Sequence, residues 1–369
     1  MKNAEVKHRC AANWLFFVSC LVPSLSFAQV VPASPNTSQQ GQVETHMVPV
    51  TATRRLVFDV VVTGKSHKPV ESLAQQDFTV LDDGHPVQIE QFSLIHGASA
   101  DPPPQLFFLI DEVNATDQEV IYTFASIKRF LTQSQGQLAY PTSLVFFTES
   151  GIQVQTLPSR DGRSLATALD RVGVSRRLIE QRSGFWGSNE LLNRSLAALT
   201  TFIEQERTKP GRKIVLWISP GWPLFDSVLS SLLPSQEQSI FNFSKFFSNG
   251  LQDDRITLDC IDPSGAADAG TMYSARYLGF LKPLESPERA EFGDIALQVI
   301  AAQSGGNVFI GNDSLLNYFK HSIDDLDLYY EITIPTAESS RENPFHDLKV
   351  KVSQPGLKVR TIDGYYRYQ

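Results

Sequence analysis

The stretch Leu106-Phe107-Phe108-Leu109-Ile110-Asp111-Glu112-Val113-Asn114-Ala115-Thr116 decides the fold of this chain. Five apolar residues follow one another without a polar alternation, so a strand over Leu106–Ile110 has to be covered on both faces. Asp111 ends the run. Thr116, with Glu119 three residues later, has the spacing of a capping box and predicts a helix that starts directly after a short loop.

Working outward, similar unbroken runs stand at Leu144–Phe147, Ile214–Ile218, Ile256–Ile261 and Val308–Ile310. Between them lie apolar residues at helical spacing: Val120, Phe124, Ile127 and Leu131; Leu191, Leu196, Leu199 and Phe202; Ile295, Leu297, Ile300 and Ala301. Buried strands alternating with amphipathic helices predict an α/β fold, a doubly wound and mostly parallel sheet with helices on both faces. In such a sheet ligands bind outside the carboxyl ends of the strands, which puts the Asp111 loop on the functional rim.

The flanks follow another grammar. Leu56, Phe58, Val60 and Val62 alternate with Val57, Asp59 and Val61, and the run stops at Gly64, the mark of a strand with two different faces. Short strands over 78–81 and 87–92 join through the turn Asp82, Asp83, Gly84. After Leu328, runs at 329–334, 348–352 and 357–362 are bounded by Pro or Gly. Three strands at each end are too few for two cores, so the two sets are expected to share one small β-sandwich.

On these residues the chain resembles the von Willebrand factor type A fold. That fold's first strand ends in an Asp-x-Ser-x-Ser loop. Gly211, Arg212 and Lys213 leading into Ile214–Ser219 resemble its fourth strand, and Ala301–Gly306 resembles the helix end before its last strand. Asp77 and Phe78, the Asp82-Asp83-Gly84 turn and the closing Gly364, Tyr365 and Tyr366 resemble an acidobacterial family of exported, type A related proteins. The resemblance implies a Rossmann-like doubly wound sheet and a metal-ion-dependent adhesion site, in which hydroxyl and carboxylate oxygens hold magnesium beside a protein partner.

The loop departs from that pattern. Asp111 is present, but Val113 and Ala115 stand in the two Ser positions, and Pro220 stands where a later Asp is implied. Asn114 and Glu112 are substitute oxygen donors, and Ser188 falls where the resemblance implies a Thr, so a degenerate metal set would be Asp111, Asn114 and Ser188. The other reading of Asp111 and Asn114 is a strand-end turn, a common role for both residue types. Trp186 and Trp222, in loops expected on the same rim, join Glu112 as partner-contact residues, because exposed aromatic side chains anchor interfaces; the other reading is that the aromatics fold back and cover the rim.

Composition narrows the function. The 369 residues carry 32 Lys and Arg against 40 Asp and Glu, a net charge of -8, without the basic cluster that nucleic acid requires. None of the seven histidines lies between residues 97 and 320, which takes His-based acid, base or zinc chemistry out of the expected cleft. Cys260 sits inside an apolar run without a His partner. The pairs within Asp253–Asp254 and Asp324–Asp327 read as solvated helix ends and turns.

The first residues read as an export signal: Lys2, Lys7 and Arg9, an apolar run Trp14–Val22, and Ser26-Phe27-Ala28 before a cleavage point. An uncleaved anchor and a lipid attachment at Cys20 stay open as alternatives, and only these would bring a membrane. Removal of the segment leaves Cys260 as the single cysteine, so no intrachain disulfide forms.

The expected organisation is a signal peptide at 1–28, a Pro, Ser and Gln-rich linker at 29–48, an N-terminal sandwich segment at 49–97, a type A domain at 104–327, and a C-terminal sandwich segment at 328–369. The expected function is a non-enzymatic, exported protein-binding or adhesion-type module with an unknown protein partner and no required cofactor. Its alternatives are a magnesium-dependent adhesion protein using Asp111 and Asn114, and a hydrolytic enzyme.

Overall fold

The computed structural model of the chain describes residues 55–65, 67–154, 157–172, 185–222, 232–264, 276–311, 313–336 and 344–366, without the side chains of 185–188. The signal peptide and linker expected at 1–48 lie outside them.

In chain order the elements are β1 (Arg55–Thr63), β2 (Phe78–Asp82), β3 (His85–Val87), β4 (Gln91–His96), β5 (Gln105–Asp111), α1 (Asp117–Thr132), β6 (Gln137–Thr148), β7 (Gly151–Val154), β8 (Ser159–Asp161), α2 (Gly162–Val172), α3 (Phe185–Glu206), β9 (Lys213–Ile218), α4 (Pro234–Asp253), β10 (Ile256–Ile261), α5 (Leu297–Gln303), β11 (Val308–Phe309), α6 (Leu315–Asp327), β12 (Leu328–Pro335), β13 (Phe345–Val352), β14 (Lys358–Arg360) and β15 (Gly364–Tyr366).

The central sheet has the order β11-β10-β9-β5-β6-β7. Its first five strands run parallel, and β7 and β8 both pair antiparallel with β6. This is a doubly wound sheet whose chain reverses direction of travel between β5 and β9. One face packs α3, α4 and α5 residues such as Leu199, Phe202, Phe247 and Leu297 onto Phe107, Val215 and Trp217. The other face packs α1, α2 and α6 onto Phe108, Phe146 and Leu216. Each strand is buried on both sides, as its unbroken apolar run requires.

The glycines at the end of α5 have a mechanical reason. Gly305 takes φ +80° and donates to Ala302 O at 3.0 Å, while Gly306 donates to Ala301 O at 3.1 Å, a helix closure through a left-handed residue. A Cβ on Gly306 would stand 2.0 Å from Leu258 O, so only glycine lets α5 meet β10 this closely.

The terminal strands form two antiparallel four-stranded sheets, β14-β1-β12-β4 and β15-β13-β2-β3. Leu56, Phe58, Val60, Phe78, Val80, Tyr330, Ile332 and Leu348 fill the space between them. Strands from both ends of the chain share each sheet. The run 87–92, read from sequence as one strand, is split: β3 pairs with β2 and β4 pairs with β12, so the chain changes sheets between them. Helices α2, α4 and α6 and the edge strands β7, β8 and β15 carry no individual sequence expectation.

The second face of β1 meets the α/β domain through charge. Asp59 Oδ2 lies 3.2 Å from Arg212 Nε, and Asp59 Oδ1 lies 2.5 Å from Arg255, which also reaches Glu331 at 2.6 Å. Arg212 is 3% exposed, stacks 4.1 Å over the Tyr329 ring and donates to Asp325 O at 2.7 Å. Asp325 also accepts from Asn307 Nδ2 and from Arg360. This corrects the expectation that the run Asp324–Asp327 is a solvated face: Asp325 is 6% exposed and sits inside the seam between the modules.

A second junction runs through residues 276–296. Tyr366 Oη donates to Leu284 O at 2.7 Å, and nearby Asp294, 9% exposed, accepts from Glu291 N at 2.7 Å. Burial first, and the charge of Glu291 with it, push the Asp294 carboxyl up to about 6. Its native pKa lies above the unfolded value of 3.8, so the native state binds the proton more tightly, and the stability this supplies is present below pH 4 and lost as pH rises to 6. Asp294→Asn keeps the capping carbonyl without the charge. We expect urea midpoints equal to wild type at pH 4 and higher above pH 7, by up to about 3 kcal/mol in stability. A wild-type midpoint that rises across this window with no change in the variant would contradict the assignment.

Candidate functional site

The rim at the carboxyl end of the central sheet is where a doubly wound fold binds ligands, and Asp111 stands at its centre as the last residue of β5. Glu112 N donates to Phe147 O at 2.9 Å and keeps the chain in register one residue further. The backbone then turns around the Asp111 side chain. Val113 N (3.0 Å) and Asn114 N (2.8 Å) both donate to Oδ1. Oδ2 accepts from Asn114 Nδ2 (2.9 Å) and from the indole Nε1 of Trp217 (3.1 Å), and the Ser219 hydroxyl adds a further hydrogen bond.

The carboxylate is fully buried. Burial raises its pKa, against which the hydrogen bonds from Asn114, Trp217 and Ser219 pull downward. Asn114 Nδ2 also reaches Ser195 Oγ at 3.0 Å, and that hydroxyl donates to Leu191 O at 2.9 Å. Thr116 and Glu119 form the expected capping box, with Glu119 N to Thr116 Oγ1 at 3.3 Å and Thr116 N to Glu119 Oε2 at 2.6 Å.

These residues do not fit magnesium. A hard cation needs oxygen acceptors turned inward with water retained around it, whereas the groups turned toward Asp111 are N–H and O–H donors. Val113 and Ala115 are 5% and 3% exposed and pack as core. Pro220 supplies a carbonyl that accepts from Gln298 Nε2 at 3.4 Å. No chemical step is assigned to a metal at this loop.

Of the partner-contact residues, two are placed otherwise than expected. Trp222 is 4% exposed and packs edge-on against Trp217, with ring centroids 5.4 Å apart. Glu112 is 7% exposed. Both therefore belong to the domain's interior, Trp222 in the core cluster that also holds Val113 and Trp217. Trp186 and Ser188 lie in the first turn of α3, with side chains outside the described residues.

Trp217, Ser195 and Ser219 are the members of this network that sequence reading missed. Trp217 was visible only as one more apolar residue of β9, and nothing in its spacing signals that its N–H is aimed at Asp111. A second polar group on the rim also went unread. Ser264, two residues after Asp262 at the end of β10, has its hydroxyl 2.6 Å from Asp262 Oδ1 and 2.7 Å from Glu119 Oε1. The signal for it was Asp262-Pro263-Ser264 directly following a buried strand.

Cys260 is buried in β10, and burial pushes its thiol well above the usual range, which leaves it without nucleophilic character at neutral pH.

No family model matches the chain, and no curated protein does. Among solved structures, the VWA domain of SpRpn10 is similar at 13% identity, over 60% of this chain and 96% of that one, with a TM-score of 0.23. The N-terminal domain of TFIIH p34 is similar at 12% identity, over 43% of this chain and 80% of that one, with a TM-score of 0.24.

Proposed function

We propose that this protein is an exported, non-enzymatic protein-binding module, an adhesion-type domain in which the metal-dependent loop has become a hydrogen-bonded structural turn. The observation that carries the reading is the saturation of Asp111 by donors from Val113, Asn114 and Trp217. A loop built this way positions its neighbours, and both Asp111 oxygens already accept hydrogen bonds, which leaves Asn114 Oδ1 as a single unpartnered oxygen beside them, too few for a magnesium shell. Partner contact then falls to the periphery of the same rim, where Asn114 is half-buried and Glu119, Asp262 and Ser264 present oxygen atoms, together with the segment that opens α3 and carries Trp186. Negative charge on this periphery suits a partner with basic side chains.

Export rests on the basic start, the apolar run Trp14–Val22 and the small residues ending at Ala28. Among the described residues no helix is long and apolar enough to cross a membrane. Among the described side chains the rim holds no His or Cys beside a hydroxyl, and the Ser264 hydroxyl is engaged by Asp262 and Glu119, which is compatible with a binding role.

Two measurements test the reading. Residues 1–40 fused to a reporter that is active only outside the cytoplasm should give activity, and an inactive fusion would refute export. Millimolar magnesium added to chelator-treated protein should leave its melting temperature unchanged. A rise in melting temperature that Asp111→Asn abolishes would establish the magnesium-dependent alternative instead.

A further inference from the structure

The Asp82-Asp83-Gly84 turn and the closing Gly364-Tyr365 meet in space, although neither contributes to the rim. The turn ends β2 with Asp83 at φ +50° and Gly84 at φ +80°, and β13 brings His346 beside it. His346 Nδ1 lies 3.2 Å from Asp82 Oδ1 and 2.8 Å from Asp83 Oδ2. Tyr365 Oη donates to Asp82 Oδ2 at 2.8 Å, and its ring stacks on the imidazole at 5.0 Å. Asp347 N holds the remaining oxygen, Asp83 Oδ1, at 3.0 Å. Gly364 permits this closure, because a Cβ there would stand 2.1 Å from His346 O.

Two features leave the cluster short of positive charge. One imidazole nitrogen faces two carboxylates, the buried Asp82 and the exposed Asp83, but carries at most one proton. Asp82 and His346 are 6% and 8% exposed, and the imidazole's other nitrogen, Nε2, is buried without a hydrogen-bond partner. Through Asp83 the cluster also borders a cavity of about 400 Å³ lined by Asp347, Glu291 and Asp294 as well, together with Lys282 and the Glu285–Arg289 ion pair. Asp347 itself holds Lys349 at 2.5 Å, an exposed cation outside this lining. Carboxylates outnumber cations around this opening, an arrangement that attracts a positive ligand.

We propose that Asp82, Asp83 and His346 form a binding site for one divalent cation of the zinc type, with the cavity supplying water to its open positions. One imidazole and two carboxylates are a mixed nitrogen and oxygen set that zinc accepts and calcium does not favour. Bonds of about 2.0–2.2 Å to a shared zinc place neighbouring ligand atoms about 3–3.5 Å apart, close to the 3.2 and 2.8 Å that separate His346 Nδ1 from the two carboxylates, and all three ligand atoms lie within 4.8 Å of one another. Tyr365 would orient Asp82 as an outer partner. The site lies on the sandwich, and the reading of the Asp111 loop stands or falls without it.

The test uses the chelator-treated full chain, titrated with zinc in a calorimeter and followed by melting temperature. One equivalent should bind at micromolar concentration or tighter and raise the melting temperature. His346→Gln and, separately, Asp83→Asn should weaken binding at least tenfold. Asp83 is the safer variant for folding, since its side chain is 46% exposed and Asn keeps a carbonyl for Asp347 N. Absence of saturable binding, or binding undiminished in both variants, would overturn the proposal, as would calcium binding as tightly as zinc.

Discussion

Asp59→Ala should be among the most damaging single substitutions in the described fold, costing about 3–5 kcal/mol. Its carboxylate faces Arg212, whose side chain is 2% exposed, and it shares Arg255 with Glu331. Removing it leaves a guanidinium buried between the sandwich and the α/β domain with no carboxylate in contact among the described residues, and a buried unpaired charge is what makes such a deletion severe. Melting temperature should fall on the order of 10 °C. Glu331→Ala is the control: Glu331 and Arg255 are each 29% exposed, so water screens the loss and the cost should be about 1 kcal/mol or less. Adding Arg212→Met to Asp59→Ala should recover part of the loss, because an apolar side chain of similar length removes the orphaned charge. Equal losses for Asp59→Ala and Glu331→Ala would show that the seam is solvated and not a buried pair.

Asp111→Ala is the second large effect, and its sign separates a structural carboxylate from a metal ligand. In a metal site emptied of its ion, carboxylates repel one another, and deleting one relieves the apo protein. Here the deletion would strand Val113 N, Asn114 N and Trp217 Nε1 in the interior, each lost partner costing about 1–3 kcal/mol. Release of a buried charge offsets part of that, so we expect destabilisation of about 2–4 kcal/mol in magnesium-free buffer. Asn114 Nδ2 retains Ser195 Oγ and softens the loss locally. Loss of the Trp217 hydrogen bond should also shift tryptophan fluorescence. An Asp111→Ala variant as stable as wild type without magnesium, or more so, would contradict the structural role.

The two variants draw on different aspects of what the chain encodes. Buried strands and helix starts are local matters. Leu106–Ile110 has no polar residue to present to water, and Thr116 with Glu119 satisfies its own helix end, so strand β5 and the beginning of α1 are legible from a dozen residues. The alternation of β1 likewise announces two unlike faces, with Asp59 the charged residue in the middle of the second one. The weaker spots are also local in origin. Residues 87–92 look continuous because side-chain pattern carries no record of a change of sheet, whereas the helical spacing of Leu315, Tyr318, Phe319 and Leu326 in α6 is itself written in the sequence.

Fold class, the position of the loop after β5 and the apolar character of Val113 and Ala115 within it were determined by sequence alone, since each depends on residue type at neighbouring positions. Only the tertiary structure decided what the loop became. Trp217 lies 106 residues from Asp111 and Ser195 lies 81 from Asn114, and whether an indole donates inward or Trp222 stands exposed depends on packing between elements that no spacing relates. The same holds for Asp82 and His346, 264 residues apart, and for Asp325, a residue in an acidic run that the fold buries against Arg360. Hydrophobic periodicity is written along the chain, but compensation of a buried charge is a property of neighbours in space, and those neighbours exist only once the sheets have closed.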